Sequence, residues 1–138
     1  MKRNPALALG IVATLAASFV WHGPGGAAKR FTTTAERTMR LTLNHYEMPA
    51  VAVRLQRAPL TRHLRFEGPA DTFQRAEIAR IGREVPGVAD TYWGDRKPPR
   101  ALPLLAEVML MALACFATGA VLAYIAALRR RARDAIYA

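Results

Sequence analysis

Three histidines, one serine and one cysteine bound the chemistry open to this chain. His22, His45 and His63 are far apart, and none has a cysteine or a paired carboxylate at metal-ligand spacing. His22 follows Trp21 at the end of an apolar run, where an imidazole could ligate a pigment or haem; a polar residue closing a membrane segment gives the same pattern. Ser18 and Cys115 both lie inside apolar runs, so neither offers a nucleophile beside a base in water. Gly23-Pro24-Gly25-Gly26 lacks the Gly-Lys-Ser/Thr that makes a glycine loop bind phosphate. Glu67 and Asp71 fit a strand end and a helix cap better than an acid/base pair. The expectation is a chain that is not an enzyme, with no cofactor, no metal and no small-molecule substrate.

The dominant feature is a pair of apolar runs. Pro5 to Trp21 carries no charge, and Leu102 to Leu128 carries only Glu107. A helix rises ~1.5 Å per residue and hydrocarbon is ~30 Å thick, so about 20 apolar residues span a bilayer. The first run reaches about 25 Å and the second about 40 Å by that arithmetic, within the tolerance for tilt and mismatch. Segments 1–21 and 102–128 are therefore expected to be transmembrane helices. A basic start, an apolar stretch and then Gly25-Gly26-Ala27 also describe a cleavable signal peptide, which is the rival reading of the first span. Glu107 is expected at the headgroup level.

Small residues recur every four positions in both runs, at Ala6, Gly10, Thr14 and Ser18 and again at Cys115, Gly119, Ala123 and Ala127. Such stripes let helix backbones approach closely in lipid, where no hydrophobic force drives helices together. They can dock on helices of another protein, or pack the two spans on each other. Trp21, Tyr124 and Tyr137 suit the membrane interface, as do Arg129, Arg130 and Arg131.

The formal net charge is +10. Between the spans, His22 to Ala101 holds 14 Lys/Arg against 8 Asp/Glu. Basic aromatic interleaving of the nucleic-acid-binding kind is absent, so nucleic acid is not an expected partner. Lys2 and Arg3 flank one outer end, and Arg129, Arg130, Arg131 and Arg133 the other. Lys29, Arg30, Arg96, Lys97 and Arg100 flank the inner ends, so the positive-inside rule does not decide orientation. Loops longer than ~60 residues translocate largely regardless of charge. That and the signal-like start favour both termini in the cytoplasm and the middle outside it, with 129–138 a basic cytoplasmic tail.

The middle reads as a small domain, residues 31–93, between glycine- and proline-rich linkers at 22–30 and 94–101. Thr33 with Glu36 three residues on fits a capping box, opening a helix with Ala35, Met39, Leu43 and Tyr46 on one face. Val51, Val53 and Leu55 alternate with Ala52, Arg54 and Gln56, and Leu60 to Phe66 alternates again after Pro59, which predicts a hairpin with His63 on its solvated face. Asp71 with Gln74 opens a second helix, with Phe73, Ala76, Ile78, Ile81 and Val85 as its apolar stripe. Pro86-Gly87 stops it, and Val88 to Trp93 forms a third strand. The fold class is α+β, in the order helix, strand, strand, helix, strand, set between two transmembrane helices.

Leu64-Arg65-Phe66-Glu67-Gly68, the Asp71-x-x-Gln74 helix and Val85-Pro86-Gly87-Val88 resemble the BON domain, a bacterial envelope module. The resemblance covers roughly residues 31–93. It implies a non-catalytic envelope domain that meets membranes or protein partners; with the two spans and the orientation above, the expected place is a bacterial inner membrane with the middle domain in the periplasm. The expected function is an accessory subunit that docks through its helices on the transmembrane subunits of a larger complex, a photosynthetic or respiratory assembly being a natural host. The alternative is an anionic-lipid-binding or envelope-stress module without a fixed protein partner. Arg54, Arg62 and Arg65, with Arg75, Arg80 and Arg83 on the second helix, are the expected contacts to membrane lipids or a partner.

Overall fold

The computed structural model describes residues 5–136 as four helices and a three-stranded sheet, and side-chain environments through residue 133. Lys2, Arg3 and Tyr137 lie outside the described residues. Helix α1 spans Pro5–His22 and α4 spans Leu104–Ile136, and both are long and apolar enough to cross a membrane. At 33 residues α4 is about 50 Å long, so it projects beyond any ~30 Å hydrocarbon layer. The tail expected from residue 129 onward therefore continues this helix as far as Ile136.

Between them come α2 (Ala27–His45), β1 (Ala52–Arg57), β2 (Leu60–Glu67), α3 (Thr72–Arg83) and β3 (Asp90–Trp93). The sheet order is β1-β2-β3, with β1 antiparallel and β3 parallel to the central β2. The crossover from β2 to β3 runs through α3, the short route by which a parallel neighbour can be added. The core lies between α2, α3 and one sheet face. It contains Ala35, Met39 and Leu43 from α2, Val53, Leu55, Leu64 and Phe66 from the hairpin, Ile78 from α3, and Trp93. Phe66 and Leu64 are fully buried. Gly82 lets α3 descend onto the sheet, because a Cβ there would stand 2.8 Å from the Thr91 methyl and 3.0 Å from the Phe66 ring.

Several local expectations are corrected. The segment expected to be an irregular linker over 22–30 is a tight turn, Gly23 to Gly26, and α2 already begins at Ala27. Gly26 caps it in the left-handed region with φ 73°, and no side chain caps it. Thr33 is thus inside the helix, and Glu36 reaches the sheet instead of a capping box. Tyr46 and Phe73, expected on apolar stripes, are exposed, as is Ala76: Tyr46 is the C-cap of α2, Phe73 lies in the first turn of α3, and Ala76, two residues from the buried Ile78, falls on the other side of α3. His63, expected in solvent, is buried. By contrast, Asp71 and Gln74 form the reciprocal cap that their spacing predicts: the Gln74 N–H donates to Asp71 Oδ1 at 2.8 Å and the Asp71 N–H to Gln74 Oε1 at 3.0 Å.

Candidate interaction surfaces

The two apolar helices pack on each other, and the seam is built around a glycine. A Cβ on Gly10 would lie 2.7 Å from the ring of Phe116, so only glycine admits that ring without a shift. Gly10, Thr14 and Ser18 are half-buried on this side of α1, while Ala6 is exposed. Thr14 Oγ1 donates to the Gly10 carbonyl and Ser18 Oγ to the Thr14 carbonyl, both at 2.8 Å, so their polarity is spent within the helix. From α4, Leu113, Phe116 and Ala120 are the half-buried residues one turn apart. The small-residue stripe of α4 is not covered by α1. Cys115, Gly119, Ala123 and Ala127 are all exposed, and nothing lies within 4 Å of a Cβ built on Gly119. The two stripes expected to behave alike therefore separate: that of α1 is used inside the chain, and that of α4 is uncovered.

At the interface positions, Trp21 and Tyr124 are exposed, as are Arg129, Arg130 and Arg131. The Arg30 guanidinium lies 5.7 Å from the Trp21 ring centroid, a cation–π contact across the α1–α2 turn. The domain is tied to α4 by Arg62, whose Nε donates to Glu107 Oε2 at 2.7 Å.

The arginines expected to meet lipid or a partner are mostly paired already. Arg62 is held by Glu107, Arg65 by Glu67, Arg75 by Asp95 at 2.6 Å, Arg80 by Glu77 and by Glu84 at 2.7 Å, and Arg83 by Asp90 at 3.0 Å. Arg75 also stacks 4.7 Å from the Trp93 ring centroid. The Arg80 hydrogen bond holds the Glu77 carboxyl below its usual value, and Arg75 does the same for Asp95. Burial pushes Asp90 up, but Arg83, the Thr91 N–H and nearby His63 outweigh it and leave Asp90 lowered. Of the six, only Arg54 has neither ion pair nor side-chain hydrogen bond among the described residues.

Arg54 lines a groove of about 490 Å³ on the sheet face opposite the core. Alternation along the strands puts Arg54 and Gln56 of β1, Arg65 and Glu67 of β2 and Tyr92 of β3 on that face. Arg54 and Arg65 are direct cross-strand partners. Arg57, Gly94 and Arg96 complete the rim. Burial raises the Tyr92 phenol above its ordinary pKa, against a smaller lowering by Arg65. Gln56 Oε1 in the wall is buried and unpartnered, as are Thr61 Oγ1 and His63 Nδ1 on the same strand pair. Gln56, Arg57, Tyr92 and Arg96 were not expected as contact residues. The hairpin register would have placed Gln56 beside Arg54 and Arg65, but Arg96 comes from a segment with no periodicity.

No group of three His, Cys, Asp or Glu able to hold a metal occurs among the described residues. No protein-family model matches this chain, nor does any curated protein or solved structure.

Proposed function

We propose that the chain is a non-catalytic, membrane-anchored accessory subunit that docks on the helices of a larger membrane complex through the small-residue stripe of α4. The observation that carries this reading is the uncovered stripe of Cys115, Gly119, Ala123 and Ala127, all exposed, with nothing within 4 Å of a Cβ built on Gly119. A small-residue face favours close packing with another helix over lipid. In this reading the chain sits in a bacterial inner membrane with both termini cytoplasmic, and the domain between the spans is a periplasmic BON-like module. The order helix, strand, strand, helix, strand between α1 and α4 supports that assignment.

The test is purification in a gentle detergent from the native membrane, with Gly119→Leu beside the unaltered chain. The expected result is a set of co-purifying membrane subunits that the variant loses while keeping the same thermal unfolding. A lone, monodisperse chain, or partners retained in full by Gly119→Leu, would overturn the reading.

A further inference from the structure

One transverse row on the sheet face opposite the core sets two like charges side by side. Arg54 of β1 and Arg65 of β2 are direct cross-strand partners, and Tyr92 of β3 stands in register with Arg65 on its other side. Side chains opposed in this way start about 5 Å apart, and like charges so placed repel. Arg65 leans to Glu67, its neighbour on the same face. The other arginines of the groove act on acids as well: Arg57 turns to Glu36, and the charge of Arg96 acts on the adjoining Asp95, which Arg75 holds. Of the four, Arg54 alone has no carboxylate among the described residues. An oxyanion that Arg54 and Arg65 both reach relieves their repulsion, and a planar guanidinium matches phosphate oxygens with paired N–H donors.

The surroundings of that row narrow the ligand. The groove of about 490 Å³ falls in the ~300–1,000 Å³ range of small-ligand sites. Tyr92 lines it, and burial favours the protonated phenol, which can donate. Gln56 Oε1 in the same wall is buried without a partner, an acceptor that a ligand hydroxyl would satisfy. Two guanidiniums suit a dianion, which a phosphate monoester approaches at neutral pH and the phosphodiester of a lipid does not. On β2, Arg62, which holds Glu107 of α4, alternates to the face opposite Arg65, so the row is turned away from that contact. We propose that the groove binds a water-soluble phosphate monoester of a small polyol, its phosphate bridging Arg54 and Arg65 and a hydroxyl donating to Gln56 Oε1. This goes beyond docking through α4 and does not depend on it, because every residue named belongs to the domain between α1 and α4.

The full chain in a neutral maltoside detergent is titrated by calorimetry with glycerol 3-phosphate and, separately, with inorganic phosphate. The expected result is saturable binding of both, which Arg54→Gln weakens by about tenfold, the scale of one lost hydrogen bond to a charged group. Arg54 is exposed, so its substitution spares the core. Gln56→Leu weakens glycerol 3-phosphate alone, because inorganic phosphate has no hydroxyl that far from its charge. Arg80→Gln, outside the groove, changes neither, and all variants keep the thermal unfolding of the parent. Absence of saturable binding, undiminished binding in Arg54→Gln, an equal loss in Arg80→Gln, or an equal effect of Gln56→Leu on the two probes would each overturn the proposal. Stronger displacement of glycerol 3-phosphate by dihexanoylphosphatidylglycerol than by inorganic phosphate would overturn it too, by assigning the site to lipid.

Discussion

The Glu36 carboxylate of α2 accepts the backbone N–H of Leu55 in β1 at 2.8 Å. The same carboxylate takes Arg57 Nη2 at 3.0 Å, and one turn along α2 Arg40 Nη1 donates to the Val51 carbonyl at 2.7 Å. Because β2 occupies the other side of β1, these are groups of its outer edge. An edge strand with free donors and acceptors is a template for pairing with another chain. Helix α2 closes this one with side chains rather than with a further strand.

Glu36→Ala should therefore open that edge. A hydrogen bond to a charged acceptor is worth ~1.5–3 kcal/mol when well buried, and Glu36 is 21% exposed, so the lower part of that range applies. The expected outcome is amide exchange at Leu55 faster by about tenfold, which ~1.4 kcal/mol produces. Glu36→Gln keeps an acceptor oxygen and should retain most of the protection. Site-resolved hydrogen exchange checks both.

The Gly10–Phe116 contact predicts a size-dependent response in the helix pair. Gly10→Leu forces the Phe116 ring out of its seat, at a cost of ~1–3 kcal/mol typical of overpacking. Phe116→Ala in the same chain should recover much of the loss by vacating the space. Gly119→Leu should leave the isolated chain unchanged, because nothing lies within 4 Å of the new Cβ. Thermal unfolding in one detergent, followed by near-ultraviolet circular dichroism, separates the three.

How far these features were legible in the sequence follows from the range of the forces behind them. Length and lack of charge suffice for α1 and α4, and the alternation at Val51–Leu55 and Leu60–Phe66 suffices for the hairpin, because burial of one face imposes those periods. Asp71 and Gln74 mark the start of α3 because both partners of that cap are local. Thr33 and Glu36 have the same spacing and mislead. Glu36 finds a strand N–H and Arg57, 19 and 21 residues away, and no local rule reports such acceptor competition. The arginines fail for the same reason. Arg75 and Arg62 meet Asp95 and Glu107 only through the fold, so arginines that look unpaired along the sequence are held by carboxylates distant in it. The stripes of α1 and α4 are equivalent by spacing, and only the helix crossing distinguishes the one in use from the one left free.

Arg62 and Glu107 join the sheet to α4, and reversal of charge tests that joint. Arg62→Glu places two carboxylates together and should raise exchange at the β2–α4 seam, and Glu107→Arg should act alike. The double exchange, Arg62→Glu with Glu107→Arg, should restore protection. With side chains 40% and 29% exposed, a coupling of about 0.5–1 kcal/mol is expected, reduced by added salt. A double-mutant cycle on hydrogen-exchange rates at low and high ionic strength measures it.

Asp90 carries the acid sensitivity of the α3–β3 seam. Burial raises its pKa, but the Arg83 guanidinium at 3.0 Å, the Thr91 N–H at 2.8 Å and the charge of His63 leave it lowered in the folded chain. In the unfolded chain it titrates near the ordinary ~3.9. Over the interval between those two values the unfolded chain binds more protons, so stability rises with pH there. The contribution is fully present above about pH 4–5 and is lost as pH falls through the folded value. Asp90→Asn should remove that part of the acid dependence, leaving a smaller drop in unfolding temperature between about pH 5 and about pH 3 than in the unaltered chain. Trp93, adjoining in β3 and packed on Phe66 at a centroid distance of 5.7 Å, reports the transition by fluorescence in a Trp21→Phe background. An identical acid response in Asp90→Asn and its parent would show that other carboxylates govern it.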